Sequence, residues 1–354
     1  MKKFYMFLAA ILVFGISSNA QSKRYVLFEH FTQASCGPCA VQNPDFEATV
    51  AMNEGKYHHI AYHTSWPGYD PMYEVNESEV NTRVSYYNVT GVPRMHMLGN
   101  TWSGGPAGVS TAQIDQAAAT GAPVRLDVSF IDNGDDTQST YITLNETGNI
   151  EGSDLKIRIA VVERVIDYSS PPGSNGEMSF PNVFRLMPSS TDGIEYTPTG
   201  AGTAQTIDVT YAIDEAWNLE EIYVIAWLQD DSDKEVINSG SSDDPSWEVS
   251  TTTTTLAGGT EPIEFTANVF TSGVDEEIQV SFSSDQPSDW SVEVVVDGIA
   301  YVDPVVDVTL ASADTEVGLI VTPGATAAIA NYTLEVTSLT YPDDPIATIT
   351  YTVV

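Results

Sequence analysis

Basic residues are scarce in this chain: 13 Lys and Arg stand against 49 Asp and Glu among 354 residues, a formal net charge of −36. Nucleic acid and anionic membrane surfaces are held by clustered Lys and Arg, so this composition argues against both as partners. Solubility is the plain reading of the acidity. Long apolar runs are lacking as well. Beyond residue 20 no stretch reaches the ~18 consecutive apolar residues of a spanning helix, and no transmembrane segment is expected after that point. Cysteine is nearly absent: Cys36 and Cys39 are the only two, which excludes a framework of structural bridges.

The one apolar run that does occur is at the start. Lys2 and Lys3 precede Phe4 to Ile16, and small polar residues lead to Ala20, the pattern of a secretory signal peptide over residues 1–20 cleaved before Gln21. Two basic and no acidic residues leave with it, taking the net charge to −38. No cysteine follows the run, so a lipid anchor on a mature N-terminal cysteine is not available. The expected location is outside the cytoplasm, in the periplasm or associated with the outer membrane or cell surface.

The rest of the chain changes texture twice. Residues 21–122 alternate strand-like and helix-like segments. Tyr25–Phe31, Tyr57–Tyr62 and Val89–Leu98 read as strands, and Cys39–Asn53, Tyr73–Tyr87 and Ser110–Ala119 as helices, with Val75, Val80, Val84 and Tyr87 on a buried side. This is an α/β arrangement with helices on both faces of a sheet. Residues 123–249 carry period-two runs at Val124–Phe130, Ser139–Leu144, Leu155–Val162, Gln205–Tyr211 and Ile222–Gln229, which predict a mainly antiparallel companion domain. Within it, Pro171–Pro188 reads as a long Pro- and Gly-containing loop. Residues 250–260, with five consecutive threonines, read as a linker. Beyond it, seven short alternating runs between Ile263 and Val353 predict an immunoglobulin-like β-sandwich over 261–354, without a cysteine to staple it.

The chemistry of the chain is expected at Cys36-Gly37-Pro38-Cys39, at the join of a strand and a helix. Export would ordinarily make a lone cysteine pair an inert bridge, but a loop of two intervening residues ties down almost no chain, so little stabilisation comes from closing it. A thiolate at a helix N-terminus is favoured by the backbone N–H groups and the helix dipole, and a partner one turn later can resolve a mixed disulfide. The pattern therefore points to redox chemistry.

The segment Val26–Cys39 (VLFEHFTQASCGPC) resembles the thioredoxin family, and Thr90-Gly91-Val92-Pro93 is similar to that family's second signature, a cis-proline loop before a later strand. The resemblance implies a thioredoxin-like fold for 21–122, a Cys36–Cys39 disulfide in the oxidised state, Cys36 as exposed nucleophile, Cys39 as resolving thiol, and Pro93 shaping the groove for a partner's extended chain. Gly37, Pro38 and Val92 support these three. Two positions depart from the family pattern. Ser35 stands where the family has Trp, and His30, six residues before Cys36, stands where it has a buried acid. Strand alternation points Glu29 to the other face, so either His30 takes over as proton acceptor or that step is slower here.

Residues 24–240 also resemble the outer membrane protein 28-related family of exported bacterial proteins, through VLFEHFT before the dithiol, Gly-Val-Pro, Asn182–Pro188 (NVFRLMP) and Ile225–Asp230 (IAWLQD). That resemblance implies location and architecture more than activity.

The expected function is exported thiol–disulfide oxidoreduction on protein or peptide partners, with a membrane redox partner as the possible electron source. The alternative from another class is a non-catalytic surface or outer-membrane-associated binding or adhesion protein built on the same scaffold. Copper delivery is a third reading, since all five histidines (His30, His58, His59, His63 and His96), with Met95 and Met97, fall in the first domain beside the thiols. Alternation separates His96 from both methionines. Asp132–Asp136 and Asp230–Asp233 read as hairpin turns, not calcium loops. No metal and no cofactor are expected.

Overall fold

The computed structural model describes residues 22–245, 247–251, 253–259, 261–271, 276–310, 314–340 and 346–354. The signal-peptide segment lies outside them. The described chain is built mainly of strands, in several sheets and more than one domain.

The first part runs β1 (Val26–Thr32), α1 (Gly37–Ala51), β2 (Tyr57–His63), α2 (Pro71–Val75), α3 (Glu77–Tyr87), β3 (Arg94–Met97), β4 (Trp102–Gly104) and α4 (Thr111–Ala118). β1 is parallel to β2 and antiparallel to β3, and β3 is antiparallel to β4. Every residue of β1 is buried, as expected of a strand covered on both faces. Its even positions meet α1, with Phe28 and His30 against Phe46, and its odd positions meet α3, with Phe31 against Tyr87 and Glu29 bonded to Arg83.

The helix expected over Tyr73–Tyr87 is two helices. Asn76, at φ −148° and ψ 64°, breaks the run; its Oδ1 caps α3 and its Nδ2 donates to the Arg185 carbonyl. The break turns Val75 outward, 44% exposed, whereas Val80 and Tyr87 are buried as expected. Asn88, left-handed at φ 53°, ends α3.

The second part contributes β5 (Val124–Asp132), β6 (Thr137–Glu146), β7 (Leu155–Asp167), β8 (Ser179–Leu186), β9 (Ile194–Glu195), β10 (Thr203–Ala212), β11 (Ile222–Asp230) and β12 (Val236–Ser241). The boundary expected at 122/123 does not divide the sheet. β8 adds in parallel to β2, through Ala61 and Val183, so β12-β11-β7-β8-β2-β1-β3-β4 is one continuous sheet, with β9 pairing off β7. Alternation along β11 explains why. Ile225 and Trp227 join the core of the first part, while Val224, Ala226 and Leu228 face a second core under the separate β10-β6-β5 sheet. The stretch expected as one long loop, Pro171–Pro188, is also revised: its second half is β8. Both aspartate-rich turns are hairpin connections, between β5 and β6 and between β11 and β12.

The last part is a cysteine-free sandwich with its own core. One sheet is β13 (Trp247–Ser250), β15 (Ile263–Thr271), β20 (Asp314–Thr322), β17 (Ser291–Val296) and β18 (Ile299–Tyr301). The other is β14 (Thr255–Leu256), β22 (Ala347–Val353), β21 (Ala330–Ser338), β16 (Glu277–Ser284) and β19 (Val305–Thr309). The threonine-rich stretch expected as a linker belongs to the sandwich. β13 pairs antiparallel with β15, β14 pairs in parallel with β22 on the opposite sheet, and Thr251 between them donates to the Thr266 carbonyl.

Candidate functional site

Cys36 and Cys39 form a disulfide with a Cα–Cα distance of 5.2 Å, at the start of α1. Cys36 is the helix N-cap: its extended backbone (φ −89°, ψ 105°) leaves β1, and its Sγ accepts from the Cys39 N–H at 3.1 Å. Pro38 suits the first turn because its missing N–H has no intrahelical use there. Gly37 and Pro38 are exposed and Cys39 is fully buried.

The second sequence signature arrives at the same place. The Val92–Pro93 peptide is cis, and the Val92 carbonyl oxygen lies 3.6 Å from Cys36 Sγ. Trp66–Pro67 is a second cis bond, in the loop that carries Gly68, Tyr69 and Asp70 under the dithiol. Asp70 Oδ2 accepts the Ala34 N–H at 2.7 Å and meets His63 Nδ1 at 2.7 Å, while Oδ1 accepts from the Met72 N–H at the start of α2. Burial opposes ionisation of this carboxyl, but His63 and the two N–H donors outweigh it and hold Asp70 below its ordinary value.

One expectation is corrected here. Cys36 is not exposed: only 1% of it is accessible. The segment between β7 and β8, closed on itself by the Tyr168 N–H to Met178 carbonyl bond, lies along residues 33–36. Asn175 N–H donates to the Ala34 carbonyl at 3.2 Å, and Asn175 Nδ2 to the carbonyls of Gln33 and Cys36 at 3.2 and 3.3 Å. Ser174 N–H donates to Ser35 Oγ at 3.0 Å, and that hydroxyl donates to the Tyr69 carbonyl at 2.7 Å. Gly68 and Gly173 pack closely on Ser35: a Cβ on Gly68 would sit 2.8 Å from Ser35 Cβ, and one on Gly173 2.8 Å from Ser35 Oγ. The serine that departs from Trp at this position is held by Ser174 and Tyr69.

His30 and Glu29 do point to opposite faces. Glu29, 1% exposed, accepts from Arg83, Tyr62 and Tyr87. His30 lies on the face covered by α1, whose buried positions are Cys39, Asn43, Phe46 and Val50. Burial, reinforced by His59 and His63, holds His30 well below its ordinary value, so it is neutral in the fold and a weak base. It stacks on His59 at 5.5 Å, and the two border a pocket of about 20 Å³, the size of one water, with Thr32, Asn43 and Glu177. Asn182 Oδ1 accepts from Tyr223 OH, which aims its Nδ2 at His59 Nδ1 and leaves the His59 proton on Nε2. Burial lowers His59 to about 3.

The other histidines are occupied apart from the dithiol: His58 by Ser239 and Asp244, His63 by Asp70, and His96 by the Gly99 carbonyl. Met95 and Met97 sit in the core, on the face opposite His96, which stacks on Tyr87. Nothing in this arrangement gathers the soft donors around Cys36 and Cys39. The two larger clefts, of about 390 and 680 Å³, share Tyr25 and Asp244 and include no dithiol residue.

Sequence reasoning missed Asp70, Gly173, Ser174, Asn175 and Glu177. The Pro-Pro-Gly-Ser-Asn-Gly run at 171–176 signals a turn-rich segment, but nothing in it tells which surface it meets.

No family model matches the chain, and no curated protein matches it. Among solved structures it is similar to HBP35 of Porphyromonas gingivalis, with a TM-score of 0.54 and 12% identity over 95% of this chain and 99% of that one. A structural-genomics protein from Agrobacterium tumefaciens aligns with a TM-score of 0.42 and 18% identity, covering 63% of this chain and 95% of its own. A domain of the outer membrane lipoprotein Omp28 from Porphyromonas gingivalis aligns with a TM-score of 0.26 and 12% identity, over 34% of this chain and 86% of that one. The first likeness extends over nearly the whole of both chains and is one of fold. Among the described residues no helix is long and apolar enough to cross a membrane.

Proposed function

We propose that the chain is an exported envelope protein whose first part is thioredoxin-like and exchanges disulfides with protein or peptide thiols. The observation that carries this reading is the meeting of two distant signatures: a disulfide at the N-cap of α1 and a cis Val92–Pro93 bond whose carbonyl lies 3.6 Å from Cys36 Sγ. The strand order β2-β1-β3-β4, with α1 leading from the dithiol, supports the fold assignment. In the exchange, a partner thiolate attacks Sγ of Cys36 and expels the Cys39 thiolate, which is protonated from solvent, and a second partner thiolate then displaces Cys36 from the mixed disulfide, leaving the partner oxidised and the dithiol reduced. In the opposite direction the Cys36 thiolate attacks a partner disulfide, and Cys39 then displaces the partner. Val92 and Pro93 border the site at Cys36 Sγ.

The second reading, a non-catalytic surface protein on this scaffold, is favoured by one specific observation, the burial of Cys36. It also suits the export signal and the large β portion. Capture separates the two readings. Cys39→Ser is expected to accumulate mixed disulfides on Cys36 in an extract of exported proteins, and Cys36→Ser to accumulate none. Equal, background-level capture by both variants would leave the binding-protein reading.

A further inference from the structure

The segment over the dithiol has a geometry of its own. Residues 171–178 lie beside Gln33–Cys36 in an extended contact that reaches the carbonyls of Gln33, Ala34, Ser35 and Cys36 and the Ser35 hydroxyl. Gly173 fits only as glycine, because a Cβ would stand 2.2 Å from the Ala34 carbonyl oxygen and 2.4 Å from its carbon. Beyond Asn175 the segment is pinned again. Glu177 accepts from Asn175 and from Asn43 Nδ2, one turn after Cys39 on α1. The backbone edge that an incoming extended chain would use beside Cys36 is thus filled by the protein itself.

We propose that residues 171–178 are an intramolecular strap that occupies part of the docking path to the dithiol, so that a small reductant reaches Cys36–Cys39 through local fluctuations that leave the strap in place, and a protein partner only after the strap lifts. This rests on the exchange reading above and adds the partner's route to it. The strap is well suited to opening. It is a loop between two strands, Ser174 and Gly176 are exposed, and its hold on the dithiol loop is a handful of hydrogen bonds without a buried apolar anchor among Gly173, Ser174 and Asn175.

The test compares two reductants on the full oxidised chain, the small phosphine TCEP and reduced thioredoxin, following loss of the Cys36–Cys39 bond by alkylation and mass. Gly173→Ala pushes the strap off Ala34, and Asn175→Ala removes its side-chain bonds to Gln33, Cys36 and Glu177. Each variant is expected to speed reduction by thioredoxin about tenfold, the effect of one or two hydrogen bonds in the closed state, and to change the TCEP rate by less than about threefold. Hydrogen exchange at Ala34–Cys36 and Ser174–Asn175 is expected to rise in both. If Gly173→Ala disturbs folding, Asn175→Ala alone carries the comparison. Thioredoxin rates within about twofold of wild type, with the exchange raised, overturn the strap as barrier; unchanged exchange in both variants overturns it as a hinged element. Failure of the exchange reading looks different: reduction still accelerates, but Cys39→Ser captures no partner even with Gly173→Ala.

Discussion

Asp70 and Ala34 are joined by a 2.7 Å hydrogen bond from the Ala34 N–H to Oδ2, the same oxygen that meets His63 Nδ1. The carboxylate thereby fixes the residue two before Cys36 to the end of β2 and, through Oδ1, to the start of α2. Asp70→Asn keeps the shape, loses the charge and cannot serve both neighbours equally. It is expected to cost about 2–4 kcal/mol in urea unfolding, the range for breaking a buried charged network. The sign with pH follows from the lowered value: the folded state holds the carboxylate ionised to lower pH than the unfolded chain, so this stabilisation is present above the ordinary value of 3.8 and is lost as pH falls through the folded value. The variant is expected to lack that part of the acid limb, and an unchanged limb would remove Asp70 from this role.

The buried imidazoles act over a different window. His59 is neutral in the fold down to about 3, while the unfolded chain takes up a proton near the ordinary value of 6.5. Between these values the unfolded state binds more protons, so stability rises with pH and the contribution is fully present above 6.5. His59→Gln is expected to flatten the dependence by one proton, about 1.4 kcal/mol per pH unit, between pH 4 and 6. Urea midpoints across that range measure it, and parallel curves for the two proteins would refute it.

The sequence made the dithiol, the proline loop and the opposite orientations of Glu29 and His30 legible because each is a local matter: a spacing, a proline, an alternation along β1. The seven strand runs of the last part were legible for the same reason; the short β13 and β14, read as part of a linker, and β18, after the left-handed Asp297 and Gly298 turn, escaped. What could not be read is tertiary. Val41, apolar at a helical position, is 73% exposed, and Asn43 is buried because Glu177 comes to it from far along the chain. The continuity of the sheet through Ala61 and Val183 hangs on a contact between segments more than a hundred residues apart. Ser35 packs against Gly68 and Gly173, neither of which is its neighbour in sequence.

Glu29 and Arg83 form an ion pair at 2.5 Å with both side chains essentially inaccessible, capped by Tyr62 and Tyr87 hydroxyls and lying over Trp227. Burial works against the Arg83 charge, but Glu29 and the two tyrosines raise its value further. The pair joins β1 to α3, so Glu29→Ala leaves a charged guanidinium buried without its partner. The expected loss is about 3–5 kcal/mol. The double variant Glu29→Leu, Arg83→Met is expected to recover most of it, since two apolar groups of similar size need no partner. Chemical denaturation of the three proteins decides the matter. A double variant as unstable as the single one would mean that the pair contributes through its wider network and not through charge balance.

Gly318 makes the corresponding test for the last part. It lies in β20, between β15 and β17, where a Cβ would stand 2.0 Å from the Phe265 carbonyl oxygen and 3.3 Å from Thr266 Cα. Both obstacles are backbone of the paired strand, so the sheet itself has to spread to admit a methyl group. No cysteine ties this sandwich together, and its core from Trp247 to Val353 is separate from the others. Gly318→Ala is therefore expected to cost about 2–4 kcal/mol of sandwich stability, the range of a steric fault in a packed interior. Because the two cores are separate, the loss should appear in calorimetry as a shift of the transition that belongs to 247–354. The reduction rate of Cys36–Cys39 should stay within about twofold of wild type, as local openings at a separate unit do not expose it. A matching change in that rate would show that the sandwich and the dithiol unit unfold together.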